Sequence, residues 1–441
     1  MNIFNLIKSI FSRFGKPEMA EYEPVISPVT QTQLELWSDM YSNAENQVLD
    51  LPSVIASEFT RLTLSESEIH INGNDCLNKY FSDFYDKLHN SFETACALGG
   101  MVFKPYVSGN KIIIDTVRAD CFTPVAFSDD SMTSAIFLDR KVVGKKYYTR
   151  LEYHTFNSEN STYEIVNTAF VSNNSEYQGV ECDLSEVAEW ADLEPKMTIE
   201  NVKQPLFAYF KVPFMNSSDL DSPLGISVFS KAVKLIGQAE EQWERIMWEY
   251  DGTELAVDAS EDVLSGKKLD RHEKRLYRSH DIDTINGSMF TVFSPAIRDT
   301  SLFNGFNKIL QRIEFNCGLA YGTISEPAEI EKTATEILSS KQRSYTHVKA
   351  LQKNLETALE QLAYAMSVYA VLYGFSGSEY ELSCNWGDNV LEDSEKEFQR
   401  RLQMVSAGLL SKEKFVSWYF GCSEAEAKTY IPETTEFFGG V

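Results

Sequence analysis

Residues 222–250 read SPLGISVFSKAVKLIGQAEEQWERIMWEY, and this stretch decides the fold. Pro223 and Gly225 end whatever precedes them, and from Phe229 onward the period is helical. Phe229, Val233, Ile236, Trp243, Ile246, Met247 and Tyr250 recur at helical spacing. Lys231, Lys234, Gln238, Glu241 and Arg245 fall on the opposite face, and Gly237 is a mild weak point. A long amphipathic helix therefore divides the 441-residue chain into two unlike halves.

Working back from the helix, the first half mixes helices with strands. Residues 33–63 are mostly helical, and a further helix over 76–98 ends at Gly99-Gly100. The period then changes. Residues 101–107 and 111–117 flank Ser108-Gly109-Asn110, a hairpin signal with a glycine-containing turn. Strand-like runs follow at 134–140, 147–156, 163–171 and 205–213. This predicts an α+β half with a largely antiparallel meander. Residues 17–32, rich in Pro, Glu, Ser and Thr, have the composition of a linker. Residues 1–16 form an amphipathic pattern, with Ile3, Ile7, Ile10 and Phe14 on one side. Lys8 interrupts that apolar stretch, which argues against a signal peptide. Docking on a protein is the commoner use of such a stripe, and a membrane surface is the other. No apolar run reaches transmembrane length.

Working forward, residues 251–295 break the helix. They carry strand-like pieces at 255–257 and 289–293 and the most basic stretch of the chain, KKLDRHEKRLYR at 267–278. A shorter helix over 302–317 stops at Gly318. Residues 320–332 are a polar loop with Gly322 and Pro327. Thr333-Ala-Thr-Glu336 fits a capping box and opens the longest helix, with a stripe through Leu338, Tyr345, Val348, Leu355, Leu359, Leu362, Met366 and Tyr369 that fades at Gly374. Residues 380–386 alternate like a strand. Three short helices, at 391–407, 411–420 and 423–430, finish the chain, with Ser411 and Ser423 as N-caps and Gly408 and Gly421 as stops.

Chemistry is conspicuously missing from this pattern. There is no phosphate-binding loop, dinucleotide fingerprint, H-E-x-x-H, EF-hand or G-x-S-x-G. Gly374-Phe-Ser-Gly-Ser378 fails the last of these at its final position. The adjacent acids Asp129-Asp130 and Glu240-Glu241 point apart on any regular element and read as solvated surface. Seven cysteines, none at C-x-x-C spacing, read as reduced thiols, and His272 and His280 are too far apart for a one-turn metal pair. No catalytic residue, metal site or cofactor is expected. The net charge of −25 argues against a sequence-specific DNA regulator, because such a surface repels phosphate. It leaves open a surface past which DNA slides.

The order of these pieces resembles the portal proteins of tailed bacteriophages, especially the branch from long-tailed phages of Gram-positive bacteria. The resemblance is carried by Ser222-Pro-Leu-Gly-Ile-Ser227 before the helix and Trp248-Glu249-Tyr250 at its end. Pro295-Ala-Ile-Arg298 adds to it, and Gly318-Leu-Ala-Tyr-Gly-Thr-Ile-Ser325 with Thr333-Ala-Thr-Glu336 is its sharpest part. Residues 385–393 and Val405-Ser-Ala-Gly-Leu-Leu-Ser411 complete it. It is good over 206–431, weaker over 35–180 and uninformative at both ends.

The resemblance implies a portal fold: an antiparallel-sheet wing, two stem helices, a clip insert, a long kinked wing helix and a small helical crown. On this chain the wing is 1–222, the first stem helix 223–250, the clip 251–299 and the second stem helix 300–319. The tunnel loop is 320–333, the long wing helix and wing strand 334–390, and the crown 391–441. It implies a ring of twelve copies at one capsid vertex of the virion, assembled in the host cytoplasm. That ring is the channel for packaging and ejecting double-stranded DNA and the head–tail connector. Implied partners are the terminase large subunit, a head-completion adaptor, and the major capsid and scaffolding proteins, with no membrane. Tunnel-loop candidates are Glu326, Glu329, Glu331 and Lys332. Clip candidates for docking are Lys267, Lys268, Arg271, Lys274, Arg275 and Arg278, whose plainer reading is a solvated charged helix or turn. The stripes at 226–250 and 338–369 are expected to serve contacts between copies. The alternative is a soluble enzyme or binding module with an unrecognised site.

Overall fold

The computed structural model describes residues 25–42, 47–129, 131–174, 179–253, 256–260, 277–280, 290–293, 296–327, 334–377, 379–387, 394–420 and 424–431. The predicted α+β class holds, with helices alongside largely antiparallel sheets. Residues 1–16, the Thr333 cap and Ser423 lie outside the described residues.

Two helices, α1 (Pro28–Ser42) and α2 (Leu51–Leu64), occupy the predicted helical stretch. The end of the expected linker is helical after all. Pro28 fits a first helical turn, where its missing N–H costs nothing, and the Ser27 hydroxyl accepts from the Thr30 N–H at 3.1 Å. Helix α3 (Asp75–Leu98) is capped by Asn74, whose side chain accepts from Leu77 N, and stops at Gly99 in the left-handed region, φ 87°. Strands β2 (Gly100–Ser108) and β3 (Lys111–Arg118) form the predicted hairpin. Its two turn residues, Gly109 and Asn110, both have positive φ, as the twist of a tight hairpin demands.

A second sheet holds β4 (Phe122–Ser128), β5 (Ser131–Val143), β6 (Lys146–Asn157), β7 (Thr162–Ser172) and β8 (Val180–Cys182) in sequence order. Strand β9 (Lys196–Glu200) also pairs with β7. Strand β4 escaped sequence reading because Pro124 and a bulge interrupt its pattern; at a sheet edge both are tolerated. The run at 205–213 shortens to β10 (Ala208–Lys211), which adds to β2.

The helix of residues 222–250 begins as a short 3₁₀ turn and continues as α4 (Val233–Gly252). After it come short strands β11 (Ala256–Ser260), β12 (Tyr277–His280) and β13 (Phe290–Phe293), then α5 (Asp299–Cys317) and the 39-residue α6 (Ala334–Leu372). Strand β14 (Glu381–Asn385) returns to pair antiparallel with β1 (Glu68–Asn72), setting Ile71 opposite Leu382, 311 positions further along the chain. Helices α7 (Ser394–Ser406), α8 (Lys412–Phe420) and α9 (Glu424–Tyr430) close the chain. The Ser411 hydroxyl accepts from Lys414 N at 3.2 Å, the cap expected there.

One expectation is overturned. From Val348 to Ala370 the stripe of α6 is spent inside the chain: Leu351, Leu355, Leu359, Leu362 and Met366 are fully buried in the main core. It packs on α2, α3, β2 and β10. This part of the 338–369 stripe is therefore no surface for another copy. On α4, Ile236, Ala239 and Ile246 are likewise buried, while Met247, Trp248 and Tyr250 are exposed.

The segment before α4 is fixed by backbone contact. A Cβ on Gly225 would overlap the Gly99 carbonyl oxygen and lie 2.8 Å from Val212 N. A Cβ on Gly99 would lie 2.6 Å from the Gly225 oxygen. Gly225→Ala should therefore lower stability by about 1–3 kcal/mol through overpacking. Gly237→Ala, with nothing within 4 Å, should raise it by roughly 0.5–1 kcal/mol. Urea unfolding midpoints that move the same way for both variants would contradict this account.

Candidate functional site

Helices α4 and α5 pack antiparallel into a two-helix neck. Asn316 Nδ2 donates to the Lys231 carbonyl at one end. Trp243 meets Phe306 with ring centroids 5.5 Å apart midway, and Glu249 meets Arg298 at the other end. That last pair is a two-pronged ion pair, with Arg298 donating through Nε at 3.0 Å and through its guanidinium at 2.7 Å. The hydrogen bond from Arg298 holds the Glu249 carboxyl below its ordinary range, and Glu249 in turn raises Arg298. The pair ties the two helices together where the insert leaves and returns.

Within the insert β11 is central, parallel to β12 and antiparallel to β13. Arg278 stands in register with Asp258 across the β11–β12 ladder. The other docking candidates, Lys267, Lys268, Arg271, Lys274 and Arg275, lie outside the described residues.

At the opposite end of the neck α5 stops at Gly318, φ 82°. The loop that follows is organised by one side chain. Glu314 is fully buried, and its carboxylate accepts from Gly322 N at 3.1 Å, Ile324 N at 2.7 Å, Ser325 N at 2.8 Å and the Ser325 hydroxyl at 2.8 Å. Charge-assisted bonds of this kind stabilise a loop that has no ladder of its own. Asn307 holds the next step, its Oδ1 accepting from Glu326 N at 2.9 Å. Glu326 is exposed beyond that anchor. Glu329, Glu331 and Lys332 lie outside the described residues, so of the four loop candidates the structure places only Glu326.

Sequence reading missed Glu314, although a signal was present. Phe306, Leu310, Ile313 and Cys317 define the buried face of α5, and Glu314 stands on it. An acid on an apolar stripe one turn before a helix-ending glycine calls for donors. Glu249, beside Ile246 on the buried face of α4, has the same signature. Glu240, expected to be solvated, instead accepts from the Val48 and Leu49 N–H groups, each at 3.1 Å, ahead of α2.

A second cluster of titratable groups lies in the large sheet. Glu152 meets Lys104 at 2.6 Å, His154 at 2.8 Å and Arg150 at 3.2 Å, and the Tyr163 hydroxyl meets His154 Nδ1 at 2.6 Å. Such a constellation resembles acid–base machinery, but His154 and Tyr163 are sealed in the core beneath Phe137 and Phe207. Burial pushes the Glu152 carboxyl up, yet Lys104, His154 and Arg150 outweigh it and hold it well below the ordinary range. Burial also lowers His154, against the pull of Glu152. The cluster ties β2 to β6 and β7.

Among the described residues no group of acids, histidines and cysteines is arranged for a metal, and no helix is long and apolar enough to cross a membrane. Cys96 and Cys317 are buried, and burial pushes both thiols up to about 12.

Two expectations follow. Glu314→Ala leaves the Ile324 and Ser325 amides without their acceptor and Gly322 N–H with only the Ser325 hydroxyl, at 3.2 Å. Hydrogen exchange at Gly322, Ile324 and Ser325 should accelerate at least about tenfold, with stability falling by roughly 1–3 kcal/mol. Unchanged exchange would contradict the anchoring role. Glu152 and His154 both have depressed folded values, so their contributions are present above the unfolded values, 4.5 for Glu152 and 6.5 for His154, and are lost as pH falls. The urea midpoint should decline below about pH 6.5 and more steeply below about 4.5. Glu152→Gln should remove the steeper limb and lower stability at neutral pH by roughly 3–5 kcal/mol, because it strands Lys104.

A family model described as phage portal protein, SPP1 Gp6-like, matches residues 79–434. No curated protein is matched by the chain.

Proposed function

Because the chain belongs to the SPP1 Gp6-like family of phage portal proteins, we propose that it is one subunit of a twelve-membered ring through which double-stranded DNA enters and leaves the capsid. The match over residues 79–434 carries this reading. It spans the neck, its insert and the anchored loop as well as most of the first half. Portal membership gives the chain a role in the phage head at the capsid vertex. The ring number, the DNA path and the docking partners are our extension of it.

In this reading the neck helices α4 and α5 form the stem, and the insert between them is the clip. The loop held by Glu314 leads into the channel constriction, the helices after residue 394 form the crown, and the remainder is the wing. The terminase large subunit and later the head-completion adaptor meet the clip through Lys267, Lys268, Arg271, Lys274, Arg275 and Arg278. The major capsid and scaffolding proteins meet the outside of the ring.

The charge supports a sliding channel. Twelve copies at −25 carry about −300. Duplex DNA bears one charge per ~1.7 Å, and affinity for it comes mainly from cations set against phosphate. A bore lined by Glu326, Glu329 and Glu331, with Lys332 as the one cation among the four, gives the duplex little to grip.

Replacing these three glutamates with lysine should leave rings intact but slow packaging at low salt, with partial relief at high salt, because each phosphate neutralised steepens the salt dependence. Unchanged packaging kinetics at low salt would place the loop away from DNA. Negative-stain images of the purified chain should show a ring with a central hole, and its mass should approach twelve copies of 50.1 kDa, about 600 kDa.

A further inference from the structure

A cavity of about 480 Å³ opens where the end of α5, the residues leading into α4 and the long helix α6 come together. Phe214, Val228 and Phe315 supply its apolar walls, and Lys231, Arg343 and His347 its polar groups. The Arg343 guanidinium lies 4.3 Å from the centre of the Phe315 ring and 5.8 Å from that of Tyr321. Stacking of this kind fixes the guanidinium plane and leaves its N–H edges for an acceptor. His347 packs edge-on against Phe214 at 4.8 Å and sits where a Cβ on Gly318 would be. Burial lowers His347, and the nearby Lys231 and Arg343 lower it further.

Among the described residues neither cation has a carboxylate partner. The acid nearest in sequence on α5, Glu314, is engaged by the loop amides. In a chain with 65 acidic and 40 basic residues, an unmatched pair of cations around a cavity is a defined feature.

We propose that this cavity is the seat for a carboxylate side chain from a neighbouring copy of the chain. The inference rests on the ring reading above. Copies that each carry −25 repel one another, so assembly needs local sites of opposite sign. A head-to-tail ring contact joins two different patches, so the cationic half needs no acid on its own chain. The stacked Arg343 presents the planar fork that a carboxylate fits in two-pronged fashion. Arg343 and His347 are half-buried, so a projecting side chain reaches them more readily than the broad backbone of a duplex.

The test is the assembly state of the full chain, read by mass photometry across concentration at low and high salt. Wild type should form rings. Arg343→Glu should raise the concentration for half-assembly by about tenfold or more, with Arg343→Lys intermediate because it keeps the charge and loses the fork. Lys231→Glu, at an exposed position, should act in the same direction without disturbing the urea midpoint. Rings unchanged in both glutamate variants would overturn the inference and leave the ring reading standing. Rings unchanged, but with weaker low-salt retention of a short duplex, would show that the cavity takes phosphate and would also overturn it. A wild-type chain that stays monomeric would overturn the ring reading, and this inference with it.

Discussion

The meeting of two backbones at Gly99 and Gly225 sets the geometry of the rest. Helix α3 can end under the segment that starts α4 only because neither position carries a Cβ. The contact is locked by backbone pairing on both sides. Val212 N donates to the Gly99 carbonyl at 3.0 Å, Val228 N donates to the Cys96 carbonyl at 3.0 Å, and the Tyr209 hydroxyl accepts from Gly225 N at 3.2 Å. Through this knot the mixed first half fixes where the neck begins. A smaller version operates at the far end of α5, where Gly318 in its left-handed turn makes room for the ring of His347 on α6. Glycine serves here for close approach rather than for flexibility.

Three acids that would otherwise add to surface charge work as internal ties. Glu249 closes the neck at its insert end, Glu314 organises the loop at the other end, and Glu240 secures the chain before α2. Each accepts from backbone or guanidinium donors, so removing one strands donors as well as losing a bond. The Lys104–Glu152–His154 cluster plays a comparable part in the sheet, with a larger desolvation cost set against it. The acidity of the chain is thus divided between a structural share held by donors and a surface share that faces solvent or partners.

What the sequence revealed follows the range of the interactions concerned. Helix α3, the β2–β3 hairpin and the helix ending at Gly318 are local, and their caps and turns could be read directly. Strand β1 could not, because its five residues acquire meaning only through β14 more than three hundred positions later. Nor could the partners of Glu249, Glu314 and Glu240, since an acid on an apolar stripe announces a need for donors without naming them. The family likeness was clearest after residue 206, where motifs fall at helix ends. The family match reaches back to residue 79, across a sheet whose alternation is common to many folds. The basic stretch and most of the loop acids were legible as charge alone, and five of the six cations of that stretch lie outside the described residues.

The burial of the α6 stripe changes the physics expected of contacts between copies. A continuous apolar seam would make assembly depend chiefly on the hydrophobic effect and only weakly on salt. With Leu351, Leu355, Leu359 and Leu362 enclosed in the core, α6 acts as a strut of the subunit. What the described surface offers instead lies elsewhere: Trp248 and Tyr250 at the insert end of the neck, Met215 and Leu220 between β10 and α4, Val371, Leu372 and Tyr373 at the end of α6, the ring cluster of Tyr419, Phe420 and Tyr430, and the cationic cavity around Arg343. Apolar groups contribute buried area that depends little on salt, whereas charged groups fix orientation and weaken as salt rises. On a subunit of net charge −25, a contact between copies gains orientation where cations such as Lys231 and Arg343 have no carboxylate partner among the described residues.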